Sequence, residues 1–185
     1  YTTLFRSGAG TGATVGKFHG PSGMMKAGLG IYAAQVGAVQ CAAIVAVNAL
    51  GDIIDYDDKH LMAGLLTEDK SAMADTVKVM YDEIERNRAL WGGNTTIGCV
   101  ITNAKLDKSQ CNKLASIAHN GFAQAIRPVH STADGDTIFL MASGEVEVGV
   151  DAVGALVTEC MGRAINRAAL TAEPAYGLKA ARDFC

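Results

Sequence analysis

The residues of this sequence best suited to chemistry are a threonine, two aspartates, a lysine and an asparagine. The threonine lies in Gly92-Gly93-Asn94-Thr95-Thr96-Ile97-Gly98. A threonine hydroxyl that follows a flexible Gly-Gly and begins an apolar strand can attack the carbonyl carbon of the residue before it. An N-to-O shift then gives an ester. Hydrolysis of that ester leaves a new N-terminal threonine, with nucleophile and free amine on one residue. Such an amine titrates near pH ~7.7–8.0 when unperturbed, which suits general-base work. Taken by itself, an Asn-Thr pair at a strand edge is ordinarily a turn.

Asp134-Gly135-Asp136 places two carboxylates two residues apart, at a turn entering an apolar run. They can orient a nucleophile and its amine, or simply close an Asx-turn. Lys17 sits among small residues, where a desolvated amine can act as a catalyst, although an isolated lysine is usually solvated surface. Asn48 is polar inside an apolar run and must find partners if buried. It is either structural glue or a donor to an oxyanion. A Cys99/His119 thiol pair is a weak alternative, because Cys99 falls mid-strand where packing is the expected role.

Other readings of the same residues are poorer. Gly8-x-Gly10-x-x-Ala13 loosely fits a dinucleotide fingerprint, but no strand precedes it and the first acid is Asp52. A Walker A loop around Gly16-Lys17 fails at Thr11 and Phe18. The five cysteines, Cys41, Cys99, Cys111, Cys160 and Cys185, include no CxxC pair. They read as free, small hydrophobes of a reducing compartment, which leans localisation to the cytoplasm. His19, His60, His119 and His130 show no metal-ligand spacing.

Regular elements must position these groups. Val39 to Leu50 is apolar and partly β-branched between Gly37 and Gly51, and reads as a buried strand. Asp52 to Lys59 reads as an acidic turn. Met73, Val77, Met80, Tyr81 and Ile84 recur at helical spacing within Ser71 to Arg88. Thr95 to Thr102 is a second strand. Asp107, with Gln110 three residues on and Leu106 and Cys111 as a staple, opens a helix through Ala125. Leu114, Ile117, Ala118, Phe122 and Ala125 form its stripe, and Pro128 bars its continuation. Asp136 to Ala142 is a third strand. The last helix buries Val150, Val153, Leu156, Val157, Cys160, Met161, Ala164 and Ile165, with Arg163 and Arg167 suiting its C-terminal dipole. Strands alternating with helices predict an α/β or α+β layered domain.

The chain has 185 residues, 49% of them apolar, and a formal net charge of -3. That length fits one domain or a large part of one. The charge gives no electrostatic case for nucleic acid or an anionic membrane. The longest apolar stretch, Val36 to Leu50, is broken by Gln40 and Asn48 and falls short of the roughly 18 residues a membrane span needs. Tyr1 to Ser7 reads as a translated adapter scar, so the expected native sequence starts near Gly8.

Five segments together carry a family resemblance: GAGTGATVGK (Gly8 to Lys17), IVAVNALGDIID (Ile44 to Asp55), GNTTIGCVITNAKL (Gly93 to Leu106), AHNGFAQAIRPVHSTADGDTIF (Ala118 to Phe139) and YGLKAARD (Tyr176 to Asp183). In this order they resemble the self-processing N-terminal-nucleophile amidohydrolases. These are the β-aminopeptidases, the L-aminopeptidase/D-esterase-amidases and, most closely, the nylon-oligomer hydrolases. The resemblance covers essentially Gly8 to Asp183. It implies a cut between Asn94 and Thr95, with residues 8–94 the C-terminal part of an α chain and 95–185 a β chain that begins with the nucleophile. Lys17 would aid proton handling, Asn48 would bind the oxyanion or place the nucleophile, and Asp134 and Asp136 would orient Thr95.

The implied fold is the DmpA/ArgJ-like four-layer αββα sandwich, incomplete at its N-terminus. The implied assembly is a homo-oligomer of αβ units, and no metal or organic cofactor is implied. The implied substrates are small amides, peptides or linear amide oligomers, cleaved through an acyl-Thr95 intermediate. The family's precursor is longer, and its missing N-terminal half is an expected partner. Without it the sheets are expected to expose edges and apolar faces. Two rival expectations are an acyltransferase on the same fold and an uncleaved, inactive fragment whose glycine loop packs or binds a small anion.

Overall fold

The computed structural model describes residues 8–86 and 92–184. In chain order, β1 (Thr14–Val15) and β2 (Met25–Lys26) form a short antiparallel pair. β3 (Leu29–Val36) and β4 (Val39–Ala46) form a hairpin in which Val36 faces Val39. β5 (Asp52–Ile54), β6 (Leu61–Ala63) and α1 (Thr76–Asp82) follow. Then come β7 (Ile97–Ala104), α2 (Lys108–Ala125), β8 (Ile126–Arg127), β9 (Thr137–Val146) and α3 (Val150–Leu170).

The main sheet has the order β3-β4-β7-β9, and the smaller one β6-β5-β8. β7 and β9 are parallel, and α2 lies in the connection between them. Helices α2 and α3 cover one face of the main sheet. Strand alternation supplies that face with Cys41, Ala43, Val45, Val100 and Ala104. The helices answer with Leu114, Phe122, Val157, Met161 and Ile165, all at 0% exposure. Each such large side chain contributes roughly 1.5–3 kcal/mol by leaving water. At Gly30 the helix backbone comes so close that a Cβ would stand 1.8 Å from the Ala164 carbonyl oxygen. The predicted capping box of α2 is present: Asp107 accepts from Gln110 N at 2.8 Å and Gln110 Oε1 accepts from Asp107 N at 2.9 Å.

Several elements differ from the sequence reading. β3 does not declare itself in the sequence, because Gly30, Ala33 and Ala34 break its apolar alternation; pairing with β4 and packing on α3 stabilise it. Asp52 opens a buried strand instead of a turn. Its carboxylate, 2% exposed, accepts from Leu65 N (2.8 Å), Thr76 N (2.6 Å) and Thr76 Oγ1 (2.5 Å), so burial comes with partners. The helix expected from Ser71 to Arg88 is shorter, capped by Asp75, and leaves Tyr81 and Ile84 exposed; residues 87 and 88 lie outside the described residues.

The strands at Thr95 and Asp136 are buried on one face only. Gly30, Gly98 and Ile138 turn toward α3, while Ile31, Ile97, Ile101, Phe139 and Met141 are exposed on the opposite face. This is one sheet with its helix layer, and its other face is open and apolar, as expected of an incomplete sandwich. Among the described residues no helix is long and apolar enough to cross a membrane.

Candidate functional site

The parallel pairing of β7 with β9 does not stop at the strand ends. Below the Ile97↔Thr137 pair, Thr137 N donates to Thr96 O at 3.1 Å. Thr96 N donates to Asp136 Oδ1 at 2.9 Å, and Asn94 bridges Asp134. Gly135 N donates to Asn94 O at 2.9 Å. The Asp134-Gly135-Asp136 segment is thereby laid alongside Asn94-Thr95-Thr96. The Thr95 hydroxyl donates to the same Asn94 carbonyl oxygen at 2.7 Å. That carbonyl is the one a Thr95 attack would address. It already carries a backbone N–H, the kind of donor that stabilises developing negative charge on oxygen. Gly135 also leaves the hydroxyl room: a Cβ there would stand 2.9 Å from Thr95 Oγ1.

Asn48 lies just beyond β4 and joins the two sides of the site. Its carbonyl oxygen accepts from Thr95 N at 2.9 Å. Its side-chain Oδ1 accepts from Lys17 Nζ at 2.5 Å and from Thr14 N at 3.3 Å. Its Nδ2 donates to Gly93 O at 3.0 Å, one peptide before the Asn94 carbonyl. Lys17 is brought in by backbone pairing, Lys17 N to Leu50 O at 2.9 Å and Gly16 N to Gly51 O at 3.0 Å. Its side chain is buried. Burial lowers its pKa to about 8, opposed by the charge of Asp134. Asp134 Oδ2 accepts from Ser131 N at 2.8 Å, while its Oδ1 is buried with no hydrogen-bond partner among the described residues. Burial pushes Asp136 upward, against the pull of the Thr96 N–H and of His130.

The structure thus gathers Asn94, Thr95, Lys17, Asn48, Asp134 and Asp136 into one hydrogen-bonded network. Gly135 was missed, though a glycine between two aspartates is a visible signal for close backbone approach. Lys26 was also missed. It is buried, and its ammonium donates to the carbonyls of Gly10 (3.3 Å), Ala13 (2.9 Å) and Ala27 (2.7 Å). The glycine-rich loop therefore turns carbonyl oxygens toward a cation, the reverse of a phosphate cradle, which is made of N–H groups. His119 stands against His130, and burial raises the Cys99 thiol, disfavouring the thiolate a Cys99/His119 pair would need. Cys41, Cys99, Cys111 and Cys160 are free, and Cys185 lies outside the described residues. Asp55, Asp58 and His60 gather at an exposed turn. There Asp55 Oδ1 accepts from Asp57 N and Asp58 N, bonds that hold the turn itself.

Comparison with known proteins gives the chain's family and fold. The model of peptidase family S58 matches residues 6–182. The chain is 30% identical over 187 residues to an uncharacterised aminopeptidase of Mycobacterium leprae, covering 92% of this chain and 50% of that one. It is 26% identical over 186 residues to the 6-aminohexanoate-oligomer endohydrolase of Paenarthrobacter ureafaciens, covering 88% and 50%. The chain spans about half the length of these curated relatives. Among solved structures it is similar to a Burkholderia β-aminopeptidase, with a TM-score of 0.57 and 18% identity over 89% of this chain and 45% of that one. It is also similar to the L-aminopeptidase D-Ala-esterase/amidase of Ochrobactrum anthropi, described as a variant of the Ntn hydrolase fold, with a TM-score of 0.58 and 16% identity over 90% and 44%. The fold is that of the Ntn hydrolase aminopeptidases.

Proposed function

The chain belongs to peptidase family S58, and from that premise we propose that it carries the nucleophile of a self-processing amide hydrolase. The observation that carries this reading is the Asn94 carbonyl oxygen, held between Gly135 N at 2.9 Å and Thr95 Oγ1 at 2.7 Å. In processing, Thr95 Oγ bonds to the Asn94 carbonyl carbon as its proton passes to the leaving Thr95 nitrogen. Gly135 N–H meets the charge that develops on the carbonyl oxygen. Water then cleaves the ester, freeing the Asn94 carboxylate and a Thr95 with both hydroxyl and α-amine. Residues 95–185 become the β chain.

In turnover the α-amine takes the hydroxyl proton as Oγ attacks a substrate amide, then gives it to the departing amine. Water releases the acid and restores Thr95. Lys17, its pKa lowered to about 8, handles protons beside the site, while Asn48 accepts from the Lys17 ammonium and from Thr95 N and so places the nucleophile. Asp134 Oδ1, buried and unpartnered among the described residues, is available to the ammonium form of the freed amine. Substrates are peptides, amino-acid amides or linear amide oligomers, the classes named for the relatives.

The test is N-terminal sequencing and intact mass of the full-length protein under denaturing conditions. A chain beginning Thr95-Thr96-Ile97 is expected, and Thr95→Ala should leave the precursor uncut and amide turnover absent. Cleavage or turnover retained in verified Thr95→Ala protein refutes the mechanism.

A further inference from the structure

Behind Asp136 stands a group that the proposed reaction has not used. His130 Nδ1 lies 3.1 Å from Asp136 Oδ2, and the Asp136 side chain is 5% exposed. Asp136 Oδ1 is occupied by Thr96 N at 2.9 Å. On its other side, His130 Nε2 lies 3.3 Å from His119 Nδ1 of α2. Phe122, fully buried, backs both rings: it stacks on His130 at 6.0 Å between centroids and meets His119 edge-on at 5.2 Å. His130 has φ +55°, a conformation uncommon for a residue with a side chain. The fold thus holds a strained backbone, a buried ring plate and two imidazoles in line with one carboxylate.

We propose that His130, backed by His119, is a positioning residue for the reaction of Thr95, holding Asp136 ionised and fixed on the Thr96 amide. The inference rests on the reading of Thr95 as nucleophile and adds to it the groups that keep its supporting carboxylate charged.

The argument is electrostatic. A buried carboxylate beside a second acid tends to take up a proton, and Asp136 faces both burial and the charge of Asp134. Once protonated it grips the Thr96 N–H less well and no longer balances the positive charge that appears on the freed Thr95 amine. An imidazole donating Nδ1–H to Oδ2 opposes this, and more strongly as an imidazolium. His119, kept toward its neutral form first by burial and then by His130, can accept from Nε2–H of that imidazolium. Two imidazoliums 3.3 Å apart would repel. The charged and titratable groups facing this arrangement are Asp136 and Asp134 of the same turn, His119 of α2, and Lys17 beyond Asp134.

The test is the rate of Asn94–Thr95 cleavage in the full-length protein across about pH 4.5 to 8.5, a range spanning carboxylate and imidazole titration. Wild type is compared with His130→Gly, which removes the donor and suits φ +55°, and with His130→Asn, which keeps a neutral N–H and tolerates the same backbone. The profile should carry two limbs, an upper one set by Lys17 near pH 8 and a lower one in the carboxylate range, and the lower limb should move up by about 1 pH unit in His130→Gly and by less in His130→Asn, which also recovers most of the neutral-pH rate. A uniform loss of rate with the lower limb unmoved, or wild-type behaviour in both variants, overturns the proposal. Should His130→Gly fail to fold, the lower limb of His130→Asn decides: raised supports it, unmoved overturns it. Failure of the wild-type protein to cut at Asn94–Thr95 overturns instead the reading of Thr95 on which the proposal rests.

Discussion

Adding one methyl group at Gly135 tests the geometry of the proposed cleavage site more sharply than removing the proposed nucleophile does. Gly135 does not have a positive φ, so alanine fits its backbone. The N–H that donates to Asn94 O at 2.9 Å is retained. What changes is space. The new Cβ would stand 2.9 Å from Thr95 Oγ1, while Asn94 O and Thr95 Cβ, each at 3.9 Å, lie at ordinary contact. The burden therefore falls on the hydroxyl alone. To restore contact distance Oγ1 must shift by about half an ångström or turn to another χ1 well, leaving its place 2.7 Å from the Asn94 oxygen. Misplacement on that scale costs up to about 10²-fold in rate, or about 2.7 kcal/mol of barrier. The assay is conversion of full-length precursor to cleaved chains, followed by quenched intact-mass measurement. The melting temperature of the uncut Gly135→Ala/Thr95→Ala protein, compared with Thr95→Ala, should be within a few degrees. Processing of Gly135→Ala within about threefold of wild type would refute the reasoning, because Oγ1 would then not need the place it occupies.

Lys17 predicts a pH dependence. Its pKa is lowered to about 8, so the neutral amine is scarce below that pH, and cleavage should rise about tenfold per unit before levelling above pH 8. Lys17→Arg, which stays cationic, should lose the rise and about 10²-fold in rate, as read from the same time courses. Lys26→Met removes an ammonium bonded to three carbonyls and should lower stability by about 2 kcal/mol in urea unfolding of the uncut protein, with slower processing because the Gly10–Ala13 loop leads to Lys17. Gly30→Ala forces a methyl to 1.8 Å of the Ala164 carbonyl and should cost about 3 kcal/mol or more by the same measurement.

Much of the helix layer is legible in the sequence because local rules decide it. Asp107 and Gln110 announce the start of α2, and the stripe from Leu114 to Ala125 announces its buried face. The strand at Ile97–Ala104 is visible too, but not its exposed face: Ile97 and Ile101 face outward, where apolar composition alone suggests burial on both sides. β3 is hidden because Gly30, Ala33 and Ala34 interrupt its apolar residues and leave no period to read, and Gly30 serves close contact with α3 instead. Asp52 misleads because an acid reads as surface until Leu65 and Thr76 are known to donate to it. Of the site, the side chains with reactive atoms are readable. Gly135, between two aspartates, shows only a close backbone approach and not the carbonyl it meets, and the His119–His130 pair is not readable because it acts through a contact between α2 and a loop.

One hydrogen bond explains why the Asn-Thr motif looks so ordinary. Gly135 N–H to Asn94 O continues the parallel ladder of β7 and β9, and in most sheets such a bond only aligns two strands. Here the carbonyl it polarises precedes a threonine, and the residue that donates has no side chain to displace the hydroxyl. On the proposed mechanism, the energy that sets strand register also sets the attack geometry. A ladder bond is stable in the resting fold, so in the proposed reaction the donor would be in place before charge develops and would not need to reorganise. The local sequence can stay unremarkable because the arrangement comes from the pairing of two strands far apart in the chain, with Asn48 O accepting from Thr95 N and Asp136 Oδ1 from Thr96 N, one on each side of Thr95.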